Sequence, residues 1–210
     1  MFLESAKLHF STQAHVGGSS ANKNAIMYGK GCWLSKTHLL TACHIWRQVR
    51  QEYDWLVAIR YDGLYKCAIV FESAEADLLL LKIDKKLADA DLSIPQQYPP
   101  LSSRKSFLGQ TVGYIASLKI PANENSGHTY FSMASVSMLM DGGQGVLRFA
   151  LTGGLIQKGF SGGPVFEQNG DVVGILIQSL QFPLDPKDPR SSIAIVPIMS
   201  PVFPFRDVLL

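Results

Sequence analysis

Residues 158–166 read KGFSGGPVF: a serine set among three glycines and a proline, immediately ahead of an apolar run. Two readings compete for it. In one, the segment is a tight turn feeding a strand, with Pro164 at the strand's first position, where a missing N–H is tolerated. In the other, Ser161 is held for chemistry on a stretch of backbone that glycine adopts readily and other residues do not. The surrounding sequence arbitrates.

Outward from this segment the chain is a series of short apolar runs punctuated by turn residues, 18 glycines and 11 prolines in 210 residues, which suits an all-β fold better than a helical bundle. Downstream, Asn169-Gly170 separates PVFEQ from DVVGIL, and a two-residue turn with both φ angles positive favours that dipeptide. Strands are expected at 24–29, 31–35, 38–42, 55–61, 64–71 and 78–83. A second set is expected at 110–116, 129–139, 146–151, 164–168, 171–180 and 193–198. Residues 44–51 carry Ile45, Trp46 and Val49 at helical spacing, and the last dozen residues hold one short helix. From 84 to 105 the pattern breaks into polar, proline-containing sequence (IPQQYPPLSSRK), a connection between lobes. Residues 181–192 (QFPLDPKDPRSS) form an exposed loop. The expectation is two six-stranded antiparallel β-barrels with a cleft between them. The first lobe spans 1–90, the connection 91–105 and the second lobe 106–210.

The bulk numbers exclude more than they select. Hydrophobic residues make up 47% of the chain and charged residues 17%, enough for a core. Lys and Arg number 19 against 17 Asp and Glu, a balance that points to neither nucleic acid nor a membrane surface as partner. No basic-then-apolar leader opens the sequence and no run reaches the ~18 apolar residues of a membrane span, so a cytoplasmic protein is expected. Cys32, Cys43 and Cys67 cannot all pair within one chain and read as reduced thiols in apolar surroundings. Cys32, Cys43 and His44 fit no standard zinc spacing, and GFSGG lacks the Gly-Lys-Ser/Thr of a phosphate loop, so neither metal nor cofactor is expected.

Two further stretches share the chemistry of KGFSGGPVF. LLTACH at 39–44 places His44 after a strand-like run and at the start of a helix. EADLLLLKI at 75–83 places a lone acid, Asp77, just before four leucines. A serine hydroxyl needs a base within hydrogen-bond reach. Histidine, with an ordinary pKa of about 6.5, is mostly neutral at pH 7 and can serve, and a carboxylate can then fix its tautomer. His9, His15, His38 and His128 lack a comparable context, and Asp54, Asp62 and Asp84 fall in turns or exposed strand ends.

In the order His, Asp, Ser across two lobes, these stretches resemble the chymotrypsin-like serine peptidases. The closer likeness is to the disulfide-free trypsin-like peptidase domains of bacterial type, similar to the protease domain of the HtrA family. It runs from about Gly29 to Pro197 and includes the GKGCWLS strand start and the closing AIVPI. The resemblance implies a serine endopeptidase acting on protein or peptide substrates, with Ser161, His44 and Asp77 as catalytic residues. It also implies an oxyanion hole from the N–H groups of Gly159 and Ser161, a substrate pocket at Leu155, Ile177 and Ser179, and control by a regulatory protein partner. With no acid between Leu151 and Phe166, small or apolar side chains are the expected preference, unless Asp185 or Asp188 enters the pocket. The competing reading is a catalytically silent or latent module that binds a protein partner through the same cleft.

One departure stands out. Secreted trypsin-like enzymes carry an aspartate before the nucleophile to receive a newly cut N-terminal ammonium, whereas this chain has Phe160. HVGG at 15–18 resembles such a mature terminus but has no partner for its ammonium. Activation is therefore expected without N-terminal cleavage, with the 152–160 loop held by packing of Phe160 or by a partner.

Overall fold

Short runs rich in β-branched and aromatic residues cannot stand alone as strands, and here they bury their faces by closing on one another. The computed structural model describes residues 2–60, 62–89, 97–118, 128–153, 159–183 and 193–209. In chain order these form α1 (Phe2–Thr12), β1 (Gln13–Ser20), β2 (Lys23–Trp33), β3 (His38–Ala42), α2 (Cys43–Glu52), β4 (Trp55–Arg60), β5 (Gly63–Ser73) and β6 (Leu78–Asp89). There follow β7 (Thr111–Leu118), β8 (His128–Asp141), β9 (Leu147–Thr152), β10 (Pro164–Phe166), β11 (Val172–Pro183), β12 (Ile193–Pro201), a 3-10 turn (Phe203–Phe205) and α3 (Arg206–Leu209). Strands β1 to β6 close into one antiparallel barrel in the order β1-β2-β3-β6-β5-β4. Strands β7 to β12 close into a second, in the order β10-β11-β12-β9-β8-β7. This is the chymotrypsin/trypsin-like fold.

The first barrel reaches six strands by a different route from the one expected. The segments 24–29 and 31–35 are one strand, β2, and the missing member is β1. Two adjacent glycines and a polar tail (HVGGSS) hide β1 from propensity. Its pairing partners, β2 on one side and β4 on the other, make it a strand. HVGG is thus the middle of β1, with Val16 fully buried, and not a mature terminus. Strand β6 also continues to Asp89, into the stretch read as the start of the connection.

The helix before β1 crosses to the other barrel. In α1, Ser5 Oγ donates to Gln168 O at 2.8 Å and His9 Nε2 lies 2.8 Å from Gly170 O, while the His9 ring stacks on Phe166 with centroids 3.8 Å apart. Ala6 joins Ile115 and Phe166 in a small core beneath. At the other terminus Phe205 packs on Phe71 of β5, and Leu209 joins the core shared by the two barrels. Each terminal segment therefore ties its own end of the chain to the opposite barrel.

His9 is fully buried, and burial pushes its pKa down from 6.5 to about 4. Between those values the unfolded chain binds a proton that the folded chain does not, so stability is complete above about pH 6.5 and is lost as pH falls toward 4. A shift of that size is worth roughly 3 kcal/mol in full and about 2 kcal/mol by pH 5. Urea denaturation at pH 7.5 and pH 5 should show that loss in the natural chain and a markedly smaller one in His9→Phe, which keeps the stacking. An equal pH dependence in both chains would exclude His9 as the cause.

Two local expectations need correction. The β10–β11 hairpin forms, but Gly170 alone has positive φ (+96°). Gly170 N donates to Glu167 O at 2.9 Å, and Glu167 N to Asp171 O at 3.0 Å. The connection is therefore a three-residue loop closed by a left-handed glycine, not a two-residue turn. Asp62 is not a solvated turn charge. It is buried against Arg60, whose Nε lies 2.6 Å from Oδ1, and hydrogen bonding from that guanidinium holds the carboxyl down at about 2.

Candidate active site

The site starts from strand register. β3 and β6 pair antiparallel, Leu40 with Leu80, Thr41 with Leu79 and Ala42 with Leu78, so the residues just beyond that last pair, Cys43 and Asp77, emerge side by side. The backbone ladder runs one step further, with Cys43 N donating to Asp77 O at 3.0 Å. Leu78 to Leu81 are all buried, which anchors Asp77 at a fixed barrel rim. Helix α2 begins at Cys43, and its N-cap residue, Ala42, has no side chain able to cap it. Asp77 supplies the cap from across the barrel: Oδ1 accepts the His44 N–H at 2.7 Å, while Oδ2 lies 2.7 Å from His44 Nδ1. One carboxylate thus caps the helix and orients the ring on it. Asp77 does so at φ +55°, a left-handed conformation that aspartate tolerates better than most residues.

Ser161 arrives from the second barrel. Its carbonyl accepts the N–H of Lys30 in β2 at 2.7 Å, and Thr41 Oγ1 donates to Lys30 O at 2.6 Å beneath. Gly162, at φ +86°, lies so close that a Cβ there would overlap Lys30 O and Thr41 Oγ1. At Gly29 a Cβ would overlap Ile45 Cδ1 and lie 2.6 Å from Ser161 O. The residue after His44 and the carbonyl of Ser161 therefore press on one point. The seam between the barrels is what brings the serine loop to the histidine helix.

Among the described residues no acceptor takes the N–H of Gly159 or of Ser161, whereas the next amides are used, Gly162 N to Leu176 O at 2.7 Å and Gly163 N to Phe160 O at 2.9 Å. Within the described residues, then, two N–H groups that flank Phe160 beside the serine hydroxyl are unused, and paired N–H donors are the kind of group that can hold an oxyanion. Ser161 Oγ lies 3.4 Å from Ile177 O, and among the described residues it makes no hydrogen bond to His44. The Ile177 side chain itself is buried in the core shared by the two barrels and turns only its carbonyl to the site. Ser179 is exposed on β11, and Leu155, Asp185 and Asp188 lie outside the described residues.

Phe160 is 2% exposed and packs in the second barrel's core with Val112, Leu151, Val165 and Leu176. The side chain in the position of the missing aspartate thus anchors the backbone next to Ser161 by burial. Phe160→Ala should cost about 3–5 kcal/mol in urea denaturation. A cost under ~1 kcal/mol would show that the loop does not depend on that ring.

Cys43 adjoins His44 but is no rival nucleophile. Burial, together with Glu72 Oε1 3.2 Å from its sulfur, pushes the thiol up to about 12. Cys32 and Cys67 are also free, buried and raised to about 12. No cluster of metal-ligating side chains, and no helix long and apolar enough to cross a membrane, occurs among the described residues.

Comparison with known proteins agrees with this construction. The MamO protease domain from Magnetospirillum magneticum aligns with a TM-score of 0.63 at 14% identity, over 98% of this chain and 99% of that one. The HtrA-type protease AlgW, solved with a decapeptide, aligns with a TM-score of 0.66 at 16% identity, over all of this chain and 66% of AlgW. At these identities the likeness is one of fold. At the level of sequence the chain matches no curated protein. Residues 29–175 match the family described as "Trypsin-like peptidase domain", a span that takes in His44, Asp77 and Ser161. Matched over well more than half its length and folded as that family folds, the chain belongs to the trypsin-like peptidase domain family, whose fold supports a protease-type function.

Proposed function

We propose that the chain is a serine endopeptidase that uses Ser161 as nucleophile, His44 as proton carrier and Asp77 as the group that orients His44. The observation that carries the reading is the pair of hydrogen bonds from His44 to Asp77, backbone N–H to Oδ1 and ring Nδ1 to Oδ2, which occupies Nδ1 and leaves Nε2 as the basic nitrogen beside the Ser161 loop. Ser161 Oγ adds to the peptide carbonyl as its proton passes to Nε2, and the oxyanion is held by the N–H groups of Gly159 and Ser161. Collapse expels the amine, which takes the proton from His44. Water, deprotonated by the same nitrogen, then attacks the acyl-enzyme and releases the acid.

The test is covalent labelling with a fluorophosphonate, which phosphonylates an activated serine hydroxyl. Labelling at Ser161 that disappears in His44→Ala supports the enzyme. A chain that never labels is the silent module. The contact of Ser161 Oγ with Ile177 O, in place of His44, favours a second, latent form of the same site. Labelling that rises once a peptide occupies the cleft would identify that form.

A further inference from the structure

One cavity adjoins the site without belonging to the triad. It measures about 360 Å³ and is lined by Arg47 of α2, Ala74 and Glu75 of the β5–β6 turn, the β8–β9 turn, and Arg148 of β9. Arg47 follows His44 by three residues on one helix, so the two share a face with Cβ atoms about 5–6 Å apart. Glu75 precedes Asp77 by two residues. The cavity therefore opens within one helical turn of the His44–Asp77 pair and spans both barrels.

Its charge is built by two guanidinium groups. Arg148 Nη2 donates to Glu75 O at 3.0 Å, which fixes the side chain across the barrel seam, and a Cβ at Gly142 would lie 3.0 Å from Arg148 Nε. That Nε is buried without a hydrogen-bond partner among the described residues. Arg47 is exposed, and neither arginine forms an ion pair among the described residues. Glu75, the one acid among the described residues lining the cavity, has Oε2 3.4 Å from Ser73 Oγ. Nearby Asp141 uses Oδ1 to accept the Gly143 N–H at 2.8 Å. Two forked donors with spare N–H groups around one cavity match a carboxylate, which they can grip in bidentate fashion.

We propose that this cavity binds the carboxylate side chain of an acidic substrate residue, with Arg47 and Arg148 as the specificity-determining pair. The inference rests on the peptidase reading above. An extended peptide advances about 3.3 Å per residue, so the acidic residue lies some two to four residues from the scissile bond.

The test uses paired peptides differing only by Glu or Gln at each of those positions, on either side of the cleaved bond. Cleavage is read as the Glu/Gln ratio of kcat/KM, and binding as the Glu/Gln ratio of Kd to Ser161→Ala by fluorescence anisotropy. Ratios within each variant cancel any general loss of function. The expected result is a preference for Glu of about 10-fold or more at one position, weakening as salt rises. That preference should fall toward unity in Arg47→Gln, an exposed substitution that the fold tolerates, and in Arg148→Gln. Equal binding and cleavage of all pairs, or a preference that survives both substitutions, overturns the proposal. A Glu preference in binding without fluorophosphonate labelling or cleavage would instead overturn the peptidase reading and leave the acidic site standing.

Discussion

Ser161→Ala should lower kcat for peptide hydrolysis by about 10⁶-fold, the scale of the corresponding removal in another serine peptidase. The methyl group leaves the rest of the loop intact, because the loop is held by the Ser161 carbonyl on Lys30 N, by Gly162 N on Leu176 O and by Phe160 in the core. Thermal stability should change by less than about 1 kcal/mol, since the lost contact, Oγ to Ile177 O at 3.4 Å, is long for a hydrogen bond. His44→Ala should cost about as much as Ser161→Ala, and the double variant little more, because in the proposed mechanism the two groups perform one step together. Additive losses, or residual hydrolysis above ~1% of the natural rate, would place the chemistry elsewhere.

Asp77→Asn should lower kcat by about 10⁴-fold while leaving the fold intact. Asparagine also tolerates the left-handed backbone at this position, and its amide oxygen can keep the cap on the His44 N–H. The amide NH₂ then faces Nδ1 and forces it to accept, which moves the ring proton to Nε2, the nitrogen proposed to receive the serine proton. Asp77→Ala should add a structural cost of about 1 kcal/mol for the lost cap. Circular dichroism with a kinetic assay separates the two variants, and near-normal turnover in Asp77→Asn would remove Asp77 from the mechanism.

Much of this arrangement is legible in the sequence. The order of LLTACH, ADLLLLKI and GFSGGPVF, through its resemblance to the chymotrypsin-like peptidases, brought forward three residues that the fold places along one seam. Turn residues also marked most strand ends. What escaped were features that depend on a partner the local residue pattern does not reveal. β1 is a strand only because β2 and β4 flank its glycines, and α1 exists to be buried on Phe166 and Ile115. Asp62 looked solvated because its partner Arg60 lies only two residues away, where backbone geometry, not spacing, determines whether they meet.

By itself the sequence determined residue chemistry and local bias: a serine among glycines, a histidine at a strand-to-helix junction, an acid ahead of four leucines, enough alternation for two barrels. Only tertiary structure decided the functions of each group beyond its type. Register between β3 and β6 made Asp77 both helix cap and histidine partner, and the barrel seam carried Ser161 to that pair. The same seam set Arg47 and Arg148, 101 positions apart, around one cavity. Side-chain chemistry is written residue by residue, whereas direction and distance come from hydrogen-bond ladders and packing between segments far apart in the chain.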